Sequence, residues 1–287
     1  MEQHHQHEHG HEHGHGHADE HALGEILDLD AEVFGALLAD VTARLAKALA
    51  APPDRILDLG SGTGAGALPL LDRFAGAEVV AVDASASLLH RLAAKAREHG
   101  AADRVRTIEA DLDGTWPDLG GPFDAAWASA SLHHMADPDR TLARLHGVLR
   151  PGAVLALLEM DGFPRFLPDD IGVGRPGMEA RLHEALAAAQ AEQVPHLGAD
   201  WGPRLAAAGF TVEEERTVGV DAAPPATGRY ARASLRRLRT HLSDRLDEGD
   251  RAALDALLDD DGPHAVLRRD DLAVRSTRFL WLARRPG

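Results

Sequence analysis

Acidic and basic side chains set at the ends of apolar segments are the residues most able to do chemistry in this chain. Asp58 closes the run Arg55-Ile-Leu-Asp58-Leu59 just ahead of a loop with Gly60, Ser61, Gly62 and Gly64. A buried carboxylate is unfavourable unless it has a partner or a task. The glycines let the backbone turn tightly and approach a ligand, with the N-H groups of a following helix aimed at it. Asp83 ends the next apolar run, Glu78 to Val82, about twenty residues on, where an acid can accept both hydroxyls of a ribose. Together these features read as the entrance to a nucleoside-type cofactor site. Farther along, Ser131-Leu-His133-His134 follows another apolar run, and an imidazole titrates near neutrality, so either histidine can serve as a general base. The plainer alternative is a histidine that packs or hydrogen-bonds a loop.

The elements that must hold these residues alternate. Apolar runs at Ile56–Leu59, Glu78–Val82, Val105–Glu109, Phe123–Ala128 and Ala153–Met160 read as strands. Between them, Gly64–Phe74, Ser85–His99 and Asp137–Leu149 carry helical periodicity. Such alternation predicts an α/β doubly wound parallel sheet, with ligands beyond the carboxyl ends of its strands. Upstream, Asp30–Ala50 is one amphipathic helix with Asp30 as its N-cap. Beyond Met160 the pattern is less regular. Helices are expected at Gly177–Ala191 and Asp200–Ala208, strands at Thr211–Val220 and Thr277–Ala283, and mostly helix over Asp221–Asp271.

Composition narrows the classes. The 287 residues contain no cysteine, which excludes disulfides, thiolate catalysis and thiolate metal sites. A formal charge of -16 argues against a general nucleic-acid binder. No apolar run is long enough for a membrane span and no signal-peptide core is present, so a cytoplasmic protein with no membrane partner is expected. Residues 1–21 hold nine of the eighteen histidines and are expected to form a disordered tail, followed by a single domain over 22–287. The tail's His-x-His spacing suits Zn or Ni, though no metal site is assigned to the domain. Six arginines lie between Gly228 and Leu246, either as a solvated helix face or as an anion clamp. The run Asp259–Asp261 reads as a solvated turn. Trp201 either lines a pocket or fills the core.

From Asp54 to Ala283 the chain resembles the class I S-adenosylmethionine-dependent methyltransferases. The resemblance rests on Asp58-Leu-Gly60-Ser-Gly62-Thr-Gly64, Val79-Val-Ala-Val-Asp83, Ile108-Glu-Ala-Asp111-Leu112, Phe123-Asp-Ala-Ala-Trp-Ala-Ser129 and Leu149-Arg-Pro-Gly152, in that order. It implies a Rossmann-like sheet of seven strands with the last antiparallel, and S-adenosyl-L-methionine as cofactor. Asp58 is then expected to attract the ammonium of the methionine part. The Gly60 to Gly64 loop passes the sugar, Asp83 holds the ribose, and Asp111 meets the adenine amino group between Leu112 and Ala84. Ser129 faces the methionine portion. A small-molecule methyl acceptor is expected, with segments 161–200 and 221–271 as a substrate cap. Methyl transfer is a direct displacement that needs alignment above all. Gly60-x-Gly62-x-x-Ala65 also fits a dinucleotide fingerprint, but Asp58, Asp111 and the terminal strand pair favour methyl transfer. A cofactor-binding protein without turnover is the alternative from another class.

Overall fold

The structure, a computed structural model, describes residues 12–287. Its elements in chain order are α1 Glu12–Val33, α2 Gly35–Ala48, β1 Arg55–Leu59, α3 Ala67–Arg73, β2 Glu78–Asp83, α4 Ala86–Glu98, β3 Val105–Glu109 and β4 Phe123–Ser129. There follow α5 Pro138–Val148, β5 Leu149–Met160, α6 Met178–Gln190, α7 Gly202–Ala207, β6 Thr211–Ala222, α8 Thr227–His241, α9 Glu248–Leu258 and β7 Val274–Arg284. The seven strands form one sheet in the order β3-β2-β1-β4-β5-β7-β6. All neighbours pair in parallel except β7, which runs antiparallel to both β5 and β6. The chain leaves β1 toward β2 and β3, then returns to lay β4 on the other side of β1. This reversal opens a crevice at the carboxyl ends of β1 and β4, the place where such sheets bind ligands.

Apolar side chains on both sheet faces explain the continuous hydrophobic strands. On one face, α2, α3 and α4 bury Leu38, Val41, Leu70 and Leu92 against Ile56, Val79 and Trp127. On the other, α5 and α7 bury Leu142, Leu145 and Leu205 against Leu57, Leu155 and Leu157. Trp201 is fully buried in that second layer, so it is core rather than pocket wall. Local signals set the helix starts. Ser85, Asp137 and Asp247 each cap the helix that follows by accepting an amide N-H.

A third apolar cluster gathers α1, α6, α8 and α9 around Leu29, Phe34, Leu182, Tyr230, Leu235 and Leu254. The arginine run belongs here. Arg232 pairs with Asp260 of the acidic turn and Arg239 with Asp255 of α9, so these arginines are matched by acids of the chain itself. Among the described residues no helix is long and apolar enough to cross a membrane, and no group of three metal-ligating side chains occurs.

Four expectations change at the ends of elements. The helix placed at Asp30–Ala50 is two helices with a break at Phe34, and α1 starts upstream at Glu12. The segment from Glu12 to His21 is therefore helical, whereas the rest of the expected disordered tail, residues 1–11, lies outside the described residues. β5 begins at Leu149, taking in Pro151 and Gly152, because Phe123 still pairs with Leu149 across a register shift. Asp30 does not cap a helix. Its carboxylate sits 2.7 Å from the guanidinium of Arg278 and accepts the Tyr230 hydroxyl at 2.6 Å.

Arg278 is 3% exposed and lies over the Phe34 ring, so Asp30 is the carboxylate that balances a buried charge. Removing one partner of such a pair leaves the other uncompensated. Asp30→Ala is expected to destabilise the protein by about 3 kcal/mol or more in urea unfolding. Adding Arg278→Met should recover much of that loss. An unchanged midpoint in the single variant would show that the pair does not anchor α1.

Candidate functional site

The crevice is built from the ends of β1, β2, β4 and β5. After Leu59 the chain turns through Gly60 and Ser61, whose amides both donate to the carbonyl of Val82 at 2.8 and 3.0 Å. Gly60 has φ +66°, and a Cβ there would lie 2.4 Å from the Ser131 Cβ. Only glycine lets the loop after β4 approach this closely. Gly66 is equally confined, since a Cβ would meet Trp127 Nε1 at 2.3 Å and Asp58 Oδ2 at 3.1 Å. α1 lies across the loop. Leu27 reaches the Cα side of Gly62, and Asp28 pairs with both Arg91 and Lys95, whose ammonium also donates to the Thr63 carbonyl at 3.0 Å.

Asp58 is 1% exposed, and its Oδ2 has no hydrogen-bond partner among the described residues. Burial, then the nearby charge of Asp83, pushes its pKa up to about 8, against a smaller opposing pull from the Ala67 amide. The Ser61 hydroxyl, in the loop that follows, is buried and also without a partner among the described residues. Asp83 is half-buried at the end of β2. It accepts the Gly62 amide at 2.8 Å and the Ser85 amide at 2.9 Å. The helix cap itself is Ser85, so Asp83 is not the cap, and a carboxylate holding two N-H groups still has lone pairs to offer.

The other expected cofactor residues line the same edge. Asp111 lies two residues past β3, exposed, with Oδ1 accepting the Asp113 amide at 2.9 Å. Leu112 is buried in the core beneath it, and Ala84 is exposed beside Asp83. Ser129 is the last residue of β4. Gly64, with φ +95°, packs against Leu92 of α4.

The two histidines differ. Ala130 takes the left-handed conformation at φ +49°, and the chain then makes a short 3-10 turn over Leu132–His134. The Ser131 hydroxyl donates to the Leu59 carbonyl at 2.9 Å. His133 is 2% exposed, and its Nδ1 lies 2.6 Å from Glu159 Oε2. Glu159 Oε1 accepts the amides of Ser131 and Leu132 at 3.1 and 2.8 Å. His134 is exposed, yet its ring centroid lies 4.2 Å from that of His133. Desolvation on that side, and then the His133 ring, lower its pKa to about 4. The two rings therefore do not point oppositely, as an extended loop would require, because a 3-10 turn carries them.

Sequence reasoning places Glu159 at the carboxyl edge of the sheet but does not pair it with His133. The signal of Glu159 is the same as that of Asp58: an acid closing an otherwise apolar strand, here Ala153–Met160. Asp113 is a second omission. It accepts the amides of Ala136 and Asp137 and so ties the loop after β3 to the loop after β4.

The glycine loop, Asp83, Asp111 and the two histidines lie within the segment that matches a known family, whereas Glu159 lies beyond it. Residues 56–152 match the family described as "Methyltransferase domain". Over 133 residues the chain is 40% identical to the demethylmenaquinone methyltransferase of Thermus thermophilus, covering 46% of this chain and 59% of that protein. Over 104 residues it is 35% identical to the tRNA 5-carboxymethoxyuridine methyltransferase of Escherichia coli K12, covering 36% of this chain and 39% of that one. The chain thus spans less than two thirds of either relative. A solved protein of Bacillus halodurans C-125 superimposes with a TM-score of 0.55 at 18% identity, over 86% of this chain and 99% of that one, which shows a shared fold.

The Asp58 carboxyl gives this site a pH signature. A carboxyl whose pKa is raised by folding favours the folded state below its unfolded value of 3.8, and that contribution is lost as pH rises through about 8. The full span amounts to something on the order of 5 kcal/mol. Asp58→Asn, which cannot ionise, should lose less stability than the parent between pH 5 and pH 9 in urea titrations of the ligand-free protein. Parallel stability curves would contradict the buried, unpaired state of Asp58.

Proposed function

We propose that this chain, which belongs to the class I S-adenosylmethionine-dependent methyltransferase family, transfers a methyl group from S-adenosyl-L-methionine to a small-molecule acceptor. The observation that carries the reading is the buried His133–Glu159 pair, fixed next to the glycine loop by the Ser131 contact with Gly60 and Leu59.

The crevice fits that cofactor by its own chemistry. The unpartnered Asp58 Oδ2 and Ser61 Oγ offer acceptors to an ammonium. Asp83 would hold the ribose and the Asp111 edge, with Ala84 and Leu112, the base. When bound, the cofactor supplies an electrophilic methyl on a sulfonium, so the leaving group is already activated. The protein's task is to align the acceptor, exclude water and remove a proton where the acceptor needs it.

His133 is the base in this reading. Glu159 Oε1 is already taken by two amides, which leaves Oε2 to accept from Nδ1-H. The Nε2 lone pair is then the one free to take a proton, and Glu159 steadies the ring as it gains charge. Glu159 is a positioning residue, since it acts through His133. His134 is the weaker candidate, because its lowered pKa makes it a poor proton acceptor near neutrality. A formal charge of -16 supports a small acceptor over a polyanionic one such as RNA.

Asp83→Ala should weaken binding of S-adenosylhomocysteine by about 1.5–3 kcal/mol in calorimetry. Equal affinities, or tighter binding of a nicotinamide dinucleotide, would reject the cofactor assignment.

Methyl-labelled cofactor incubated with a metabolite pool should place label in the small-molecule fraction, and label only in RNA or protein would reject the acceptor class. With the labelled acceptor in hand, His133→Ala should slow single turnover by on the order of 100- to 10,000-fold with cofactor affinity intact. Glu159→Gln should shift the pH profile of that rate. Near-parental rates in His133→Ala would remove the imidazole from the mechanism.

A further inference from the structure

A cavity of about 1030 Å³ opens beyond the ends of β5 and β6 and the start of β7, walled on its far side by α6. It begins at Asp161, two residues past Glu159, about 7 Å farther along the strand. Its volume suits a ligand of drug size.

Three polar atoms in residues that line this cavity are buried and have no hydrogen-bond partner among the described residues. They are His183 Nε2 and Gln190 Oε1 from α6, and Ser276 Oγ from β7. Buried polar groups are normally paired, so three orphans converging from two elements on one cavity point to a ligand that pairs them. None of the three carries a fixed charge, since burial and then Arg165 lower the His183 pKa to about 4.

The rim adds a second signal. Arg165 and Arg275 exchange both backbone hydrogen bonds, at 2.9 and 2.8 Å, in an isolated antiparallel bridge. Residues directly opposite in such a pair project to the same side, where like charges destabilise one another. Arg275 donates to the Leu167 carbonyl and lies 3.9 Å from Glu179. Both oxygens of Glu179, however, already accept the amides of Phe166 and Leu167. The Arg165 guanidinium makes no hydrogen bond or ion pair among the described residues. Two arginines projecting to the same side of one backbone bridge suit one carboxylate. The exposed acids Asp161, Glu184 and Asp221 at the mouth disfavour a second one.

We infer that this cavity binds a monocarboxylic acid bearing hydroxyl or amide groups, with the carboxylate at Arg165 and Arg275 and the uncharged groups at His183, Gln190 and Ser276. Calling that ligand the methyl acceptor rests on the proposed transfer reaction; the binding site itself does not.

Calorimetry on the full chain with saturating S-adenosylhomocysteine tests this. The probes are pantothenate, which has one carboxylate with hydroxyl and amide groups, its alcohol counterpart panthenol, and hexanoate. Pantothenate should bind most tightly. Arg165→Gln, an exposed loop change, should weaken pantothenate about tenfold to hundredfold and leave panthenol unchanged. Ser276→Ala should weaken both. Equal affinity for pantothenate and panthenol, tighter hexanoate binding, no binding of any probe, or full pantothenate affinity in Arg165→Gln would each overturn the inference. Failure of S-adenosylhomocysteine itself to bind would instead reject the cofactor reading, and the same probe comparison would then be run without it.

Discussion

One buried carboxylate organises the chain around the ends of β4 and β5. Glu159, the penultimate residue of β5, is 1% exposed, and it collects the amides of Ser131 and Leu132 and the ring of His133. Three donors converging on one carboxylate make its burial tolerable. They also fix the path of the chain after β4. That path places Ser131 against Gly60, which in turn requires a residue without a side chain at that position. The left-handed Ala130 is where the backbone absorbs the change of direction, and such strain persists only where the surroundings hold it.

The rest of the molecule is arranged around that edge. The sheet core is apolar on both faces, and the acids of the crevice, Asp58, Asp83 and Glu159, stand at or next to the carboxyl ends of their strands. α1 crosses the glycine loop and is held by two acids with different partners, Asp28 on Arg91 and Lys95, and Asp30 on Arg278. Because Arg278 comes from β7 and Tyr230 from α8, one contact joins the N-terminal helix, the late helices and the sheet. The cluster of α1, α6, α8 and α9 is thereby coupled to the crevice rather than packed beside it.

Much of the cofactor side is legible in the sequence because its signals are local. Asp58 stands two residues from Gly60, and Asp83 ends a six-residue strand with four apolar residues in a row before it, so type and spacing are visible in one window. The surroundings of His133 are written in contacts between distant residues. Glu159 and His133 are 26 residues apart, and each alone has an ordinary reading. Asp30 precedes an apolar periodic run and so looks like a helix cap, but its partner Arg278 is 248 residues away. The arginines of α8 look available for an anion until Asp255 and Asp260 fold back onto them. Arg165 and Arg275 show no spacing that would connect them, and only a backbone bridge puts them side by side.

The most direct measurement is a crystal structure of the full chain with S-adenosylhomocysteine bound. The ribose hydroxyls should lie within hydrogen-bond reach of Asp83, the ammonium beside Asp58, and the sulfur on the side of the crevice that faces His133. A nucleoside bound away from the glycine loop, in the cavity beside α6 for example, would contradict the placement of the cofactor and the role given to the His133–Glu159 pair.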